Sequence, residues 1–560
     1  MSKFYNDKKI IIILIVVLLI ISGAFLFYKE NLKRKVSKAE REFLNCEYDN
    51  AIKLYEKLGS KNKKSAYWDA KISEAYLMKK DKSNCEKYMD IALEKQDKNG
   101  ESHSIILNNK IILMKENLGS NKFSKEQLIS LEKEGQEYLN KYPNNKEIKK
   151  MMFLIYMLNN NVEKSENIVE NYCTANDDSF ILCEKARMEF ILGKSKEGIE
   201  TLKNAYDKNP GDFKIYDTIF NSYEEDKSIL DNIITLQKEN KDNLYYKLSL
   251  VRIYLGNNEV AKSEEILNSL DENTKNNSIV YKVFRIYLLE AKNDTENANR
   301  EINDLLKKEP KDYIVNYIAG WYCFRNNELD KALQYGKDSI KENPTYIESY
   351  VNLIPEILKV KGNGNLAQPY YHYALYKEPY NTAIYINKGI YSWYNMNNSV
   401  EAIGNFRIAQ MLKPKDMELS YQTSLIYLAN HNYNEAIDIL KKIVSIDKDN
   451  VIYHRTLGTA YFVAKNYNDS YDQFEIAYEL DKKDILTLNN LGCYYIMVDG
   501  DIDKGFKYIV TAYKNLNDNY DEYTKNTITE NYNKIEQLKN KYNEGKNNQV
   551  LEIPDFIMFY

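Results

Sequence analysis

Hydrophobic and polar positions follow two different rules along this chain. Residues 10–28 read IIIILIVVLLIISGAFLFY, nineteen residues without a charge. As a helix this run spans roughly 28 Å, close to the hydrocarbon thickness of a bilayer, so a transmembrane helix is predicted there. From residue 29 onward apolar residues recur three and four apart, which predicts amphipathic α-helices. These come in pairs, and a small residue returns at the same place in the second helix of each pair. The position can be followed through fourteen residues from Ala51 to Gly505, small at all but Leu131 and Ile229, at steps of 31 to 35 residues with one step of 46. Two helices that cross closely need a small side chain where their backbones meet. A large apolar residue one turn further on fills the gap beside it.

The clearest copy is 451–484, with Leu457, Gly458, Tyr461, Ser470, Phe474 and Ala477 at positions seven, eight, eleven, twenty, twenty-four and twenty-seven. Pro143, Pro210, Pro310, Pro344, Pro379 and Pro414 fall at position thirty-two or its equivalent, where proline ends one helix and turns the chain toward the next. This spacing resembles the tetratricopeptide repeat, a 34-residue helix–turn–helix unit. The resemblance implies an all-α superhelical solenoid of about fourteen repeats, following one N-terminal transmembrane helix. The expected organisation is a short basic N-terminus (1–9), the membrane helix (10–28) and the solenoid (29–518), irregular near 98–145 and 212–243. A polar capping helix (519–546) and an apolar tail (547–560) follow. The tail ends in IPDFIMFY, which folds back onto the last helices or docks a partner. Pro355 interrupts a first helix and predicts a kink or a weak repeat.

Composition narrows the class. Glycine (20) and proline (9) are scarce and net charge is −4, which disfavours sheet folds and a nucleic-acid-binding surface. Tyrosine is abundant, 50 of 560. AT-rich coding favours it, and so does an aromatic binding groove. Three lysines precede the apolar run and six basic residues follow it closely. That excess predicts a single-pass protein with the solenoid on the cytoplasmic side. Six cysteines without a CxxC pair are expected of reduced thiols. A short basic start before a long apolar run also resembles an export anchor, which would place the solenoid outside. The run is longer than a usual signal-peptide core, which favours an uncleaved anchor.

No chemistry announces itself. Gly362–Asn363–Gly364 reads as a turn rather than a phosphate loop. Asp499, Asp501 and Asp503 lack the Gly and Glu that a calcium loop needs, with Lys504 and Val510 in their places. The four histidines show no metal-ligand spacing. No cofactor, metal or catalytic set is expected. Proteins or peptide segments are the expected partners, with the membrane through residues 10–28 and no nucleic acid.

The resemblance further implies that the first helix of each repeat lines a concave face. Residues carried there are Tyr317, Trp321, Phe324, Asn352, Asn387, Tyr391, Tyr394, Tyr421, Arg455, Phe462 and Asn489. This set is aromatic and amide-rich, and asparagine amides can read a peptide main chain. The family's clamp for acidic peptide C-termini is not found. Arg455 and the Asn489–Asn490 pair are fragments of it. Tyr391 and Tyr394, three apart, are expected to share one exposed face. The function expected is a membrane-anchored, non-enzymatic scaffold that binds proteins through this groove. The alternative is an accessory or regulatory subunit of a membrane-bound cell-envelope enzyme.

Overall fold

The computed structural model describes residues 31–61, 63–120, 122–544 and 552–560. The apolar run 10–28 lies outside the described residues. Among those described, no helix is long and apolar enough to cross a membrane. The described elements are helices, with no strand among them beyond one isolated bridge between Ser65 and Gln96.

Local chemistry explains why the chain folds into helix pairs. Most first helices begin at an Asp or Asn whose side chain accepts from main-chain N–H groups of the opening turn. Asp312 accepts from Ile314 and Val315, and Asn450 from Ile452 and Tyr453. Each such cap satisfies donors that the helix itself leaves unpaired. The turn to the second helix passes through a left-handed residue, such as Asn160, Asn258, Asn293, Asn327 or Gly500. Asparagine tolerates that conformation better than other residues with a Cβ. The turns therefore absorb part of the chain's asparagine.

All fourteen of the recurring positions from Ala51 to Gly505 are buried. Ser470 shows how closely the paired helices approach, since its Oγ donates to the carbonyl of Gly458 across the crossing at 2.8 Å. At Gly505 an added Cβ would lie 2.2 Å from Ile496 Cγ1 and 2.9 Å from the Gly492 carbonyl. Extra length near 98–145 lies in two long helices, Glu101–Gly119 and Lys125–Lys141. Near 212–243 the pair Lys214–Glu225 and Ser228–Glu239 is joined by only Asp226 and Lys227.

Helix packing divides the chain into two compact units, one up to Met396 and one from Asn397. Before that division the repeat is already distorted. A π-turn over Ser349–Leu353 precedes the helix Ile354–Val360, with Pro355 in its first turn. Proline has no N–H to give, and it is tolerated where a helix starts. Ala367, at a recurring small position, ends a 3₁₀ turn (Gly364–Ala367) ahead of the helix Gln368–Lys377.

In the first unit, side chains of residues 346–380 reach the first helices of earlier repeats. Tyr346 donates to Asp217 at 2.8 Å, and Lys214 pairs with Glu378 at 3.0 Å. Tyr376 meets Ser104, and His372 meets Glu74 at 2.6 Å. Lys71 pairs with Glu74 at 2.5 Å and donates to Tyr373. Burial pushes the Lys71 ammonium down, but Glu40 and Glu74 outweigh it and hold it well above its ordinary value. Burial likewise opposes ionisation of Glu74, yet Lys71 and His372 bring it down to about 2. Buried charges persist only when paired in this way, because an unpaired one carries its full desolvation penalty. The inner side of these repeats is thus filled by the chain itself.

Candidate functional site

Each unit presents one candidate surface. In the first unit a cavity of about 810 Å³ opens between the helices Tyr313–Arg325, Ile354–Val360, Gln368–Lys377 and Thr382–Tyr394. Six residues carried to the concave face line it, namely Tyr317, Trp321, Asn352, Asn387, Tyr391 and Tyr394. Val351, Pro355, Tyr371, Ile390 and Asn395 complete the apolar and amide character. Its charged pair, Glu356 with Lys359, is a solvent-facing ion pair one helical turn apart. Such a wall offers ring faces and amide groups, and no carboxylate or imidazole poised for proton transfer.

Tyr391 and Tyr394 do not share an environment, which corrects the expectation that they behave alike. Tyr391 is 5 % exposed, donates to the Asn365 carbonyl at 3.0 Å and packs on the Tyr371 ring at 5.1 Å. Tyr394 is 79 % exposed. Three residues advance a helix by about 300°, so the two side chains diverge by about 60°. That is enough to put one in the wall and the other at the mouth. Ile390, also at the mouth, is 42 % exposed. Tyr317 sits edge-on to Trp321, and Trp321 in turn to Phe324. Phe324 therefore supports the wall from behind and does not line the cavity.

The remaining residues lie in the second unit and do not form one patch. Tyr421 packs on Tyr453 and bonds Thr456, and Phe462 packs against Tyr467. Arg455 pairs with Asp484 at 2.6 Å. Arg455 and Asn489 also contact the chain's own tail. Residues 555–560 lie extended in a groove made by the helices Val451–Val463, Ile485–Met497 and Glu522–Glu544. Asn531 accepts from the Ile557 N–H at 3.1 Å and donates to the Ile557 carbonyl at 2.7 Å. Two residues on, Asn490 does the same for Phe559, at 2.8 and 2.7 Å. Asn489 adds a second donor to the Ile557 carbonyl, and Thr459 to that of Phe559. Arg455 Nε reaches the Tyr560 main-chain oxygen at 3.4 Å, and Lys534 that of Asp555 at 2.7 Å.

Asn490 stood in the sequence only as part of the Asn489–Asn490 pair, and Asn531, Thr459 and Lys534 carried no motif. Asn531 did leave a signal. It lies on the apolar stripe of the capping helix, between Ile528 and Ile535, both fully buried. An amide on the buried stripe of an otherwise polar helix needs a partner.

Sequence features that resembled chemistry prove structural. Asp501 caps the helix Ile502–Lys514, and Asp503 pairs with Lys539. Gly362 is a left-handed turn residue. Among the described residues no cluster of three or more His, Cys, Asp or Glu side chains has a metal-holding arrangement.

A family model described as tetratricopeptide repeat matches residues 285–347. That stretch is a tetratricopeptide repeat. The described chain is correspondingly an all-helical, tetratricopeptide-like solenoid. No curated protein matches this sequence. Among solved structures, Naa15/Naa10 bound to HypK-THB is similar over 92 % of this chain and 97 % of its own, at 12 % identity and a TM-score of 0.37. The Cut9–Hcn1 hetero-tetramer of APC/C is similar over 88 % and 95 %, at 12 % identity and 0.36. The C-terminal part of a TPR repeat-containing protein from Cytophaga hutchinsonii is similar over 43 % and 96 %, at 18 % identity and 0.36. Nothing about this chain's partners follows from likenesses at that level.

Proposed function

We propose that this protein is a membrane-anchored scaffold that holds a partner polypeptide in the cavity of its first unit. The single observation that carries this reading is the cavity wall itself. Tyr317, Trp321, Tyr371 and Tyr394 give ring faces, and Asn352, Asn387 and Asn395 give amides. Large, stiff aromatic surfaces with satisfiable amides around them are the composition of protein-binding surfaces. The volume lies within the roughly 300–1,000 Å³ of ligand-sized clefts, enough for a few side chains of a bound segment. Anchoring rests on the sequence alone. Residues 10–28 have the length and apolarity of a membrane helix, and the basic residues after it favour a cytoplasmic solenoid.

The test replaces the two residues at the mouth, which carry little of the fold. Tyr394→Ser with Ile390→Ser in the full chain should remove a specific polypeptide from the complexes isolated with it from its native membrane, while leaving the circular dichroism spectrum unchanged. Identical partner sets for wild type and variant would refute the cavity as the binding site.

A further inference from the structure

The groove of the second unit carries an inference that is independent of the first unit's cavity. We propose that this groove is a receptor for an extended polypeptide segment bearing two large apolar side chains three positions apart. Residues 555–560 are then a resident stand-in that a partner protein's segment displaces.

Side chains, not a neighbouring strand, hold the tail's main chain. Among the described residues, no hydrogen bond to another main chain holds residues 552–560. The N–H and C=O groups of Ile557 and Phe559 are instead met by the amides of Asn531 and Asn490. A side-chain amide that gives one donor and one acceptor to a single residue accepts any side chain at that residue. The three asparagines also satisfy one another. Asn531 donates to Asn489 Oδ1 at 2.8 Å, and Asn490 donates to Thr459 Oγ1 at 3.0 Å. The polar row is therefore pre-organised by the helices, independently of which chain lies in it.

Selectivity resides in two apolar pockets. Phe556 enters a pocket of Cys493, Ile496, Ile509, Ile535 and Leu538. Phe559 enters another formed by Ile485, Leu488, Ala512 and Ile528. By contrast Ile553 is 43 % and Tyr560 42 % exposed. Phe556 and Phe559 are the two buried anchors, Met558 packs partly buried beside them, and main chain is read between and beside these side chains. That division of labour suits recognition of many extended segments sharing two apolar anchors.

Any partner segment competes with the tail. A segment on the same chain acts at an effective concentration of about a millimolar. A covalently attached occupant of modest intrinsic affinity thus keeps the groove filled until a partner with better anchors arrives.

The experiment uses the full chain and a fluorescent peptide of residues 552–560, EIPDFIMFY. Weakening the tail with Phe556→Ala and Phe559→Ala should tighten capture of this peptide at least about tenfold over wild type, because the tethered competitor is removed. The same peptide with both phenylalanines replaced by serine should not be captured. Adding Asn490→Ala and Asn531→Ala to the weakened chain should abolish capture. A folded, tail-weakened chain that ignores the peptide, or that binds both peptides equally, would overturn the proposal. Hydrogen exchange on the wild type gives a second readout. The amides of Ile557 and Phe559 should exchange at least about tenfold faster than that of Leu491 through opening of the tail alone. Equal protection of all three, or failure of the weakened chain to fold, would show the tail to be core. Stable wild-type dimers with exchanged tails would make a second copy the occupant and overturn the partner.

Discussion

Replacing Tyr391 and Tyr394 one at a time should separate wall from mouth. A tyrosine offers roughly 200 Å² to burial, and apolar burial is worth about 25 cal/mol per Å², so a fully buried ring contributes about 5 kcal/mol. Tyr391 is 5 % exposed and Tyr394 79 %. Scaled by those exposures, Tyr391→Ala should cost about 4–5 kcal/mol and Tyr394→Ala about 1 kcal/mol or less. The hydroxyl can be read separately. Tyr391→Phe removes the bond to the Asn365 carbonyl, at about 1 kcal/mol. In a repeat array the loss appears first as local opening. The assay is therefore hydrogen exchange over residues 346–396, with the urea midpoint of the chain as a second readout. Tyr394→Ala should leave exchange there unchanged. Equal costs for the two alanine variants would mean that both rings are surface or both are core, and would refute the placement of this helix.

Three further outcomes follow from the packing. Burial, with Asp217 and Glu378 adding to it, pushes the Glu348 carboxyl up to about 8 from an ordinary 4.5. Between those values the folded chain holds a proton that the unfolded chain has lost, so this group's contribution to stability falls as pH rises through that window. Glu348→Gln should flatten the decline in urea-melt stability from pH 5 to 8, and parallel profiles for wild type and variant would contradict it. Lys214→Met leaves Glu378 without its partner and should cost about 3–5 kcal/mol, most of it recovered in Lys214→Met with Glu378→Leu; a single variant with an unchanged midpoint would show the pair to be dispensable. Ala436 is fully buried at a helix crossing, so Ala436→Leu should cost about 1–3 kcal/mol, with faster hydrogen exchange confined at first to residues 400–480; uniform loosening would count against independently coupled repeats.

Much of the local plan was legible in the sequence because it is set by neighbours. A small residue at most crossings, an Asp or Asn before most first helices, and an Asn or Gly at many turns act within one repeat. The filling of the first unit was not legible. Lys71 and Glu74 meet Tyr373 and His372 across some 300 residues, and no spacing rule connects charges so far apart. The distortion of the repeat near residues 349–367 was only half visible. Pro355 marked the distortion, but the π-turn and the 3₁₀ turn at Ala367 depend on what residues 346–380 pack against. Six cavity residues were identified together because they obey the repeat register, while Phe324, Tyr421 and Phe462 obey it and lie elsewhere. The register fixes the helix face. Neighbouring side chains decide whether that face is open, as the contrast between Tyr391 and Tyr394 shows. Asn489 and Arg455 were singled out for a partner segment, and the segment they meet is the chain's own tail.

The central claim, a polypeptide held in the first unit's cavity, is tested most directly by a photo-cross-linking residue at position 394 in the full chain within its native cell, with one at the exposed Val162 as control. Irradiation should yield a discrete protein adduct from position 394 and none from position 162. The same adducts from both positions, or none from position 394, would contradict it.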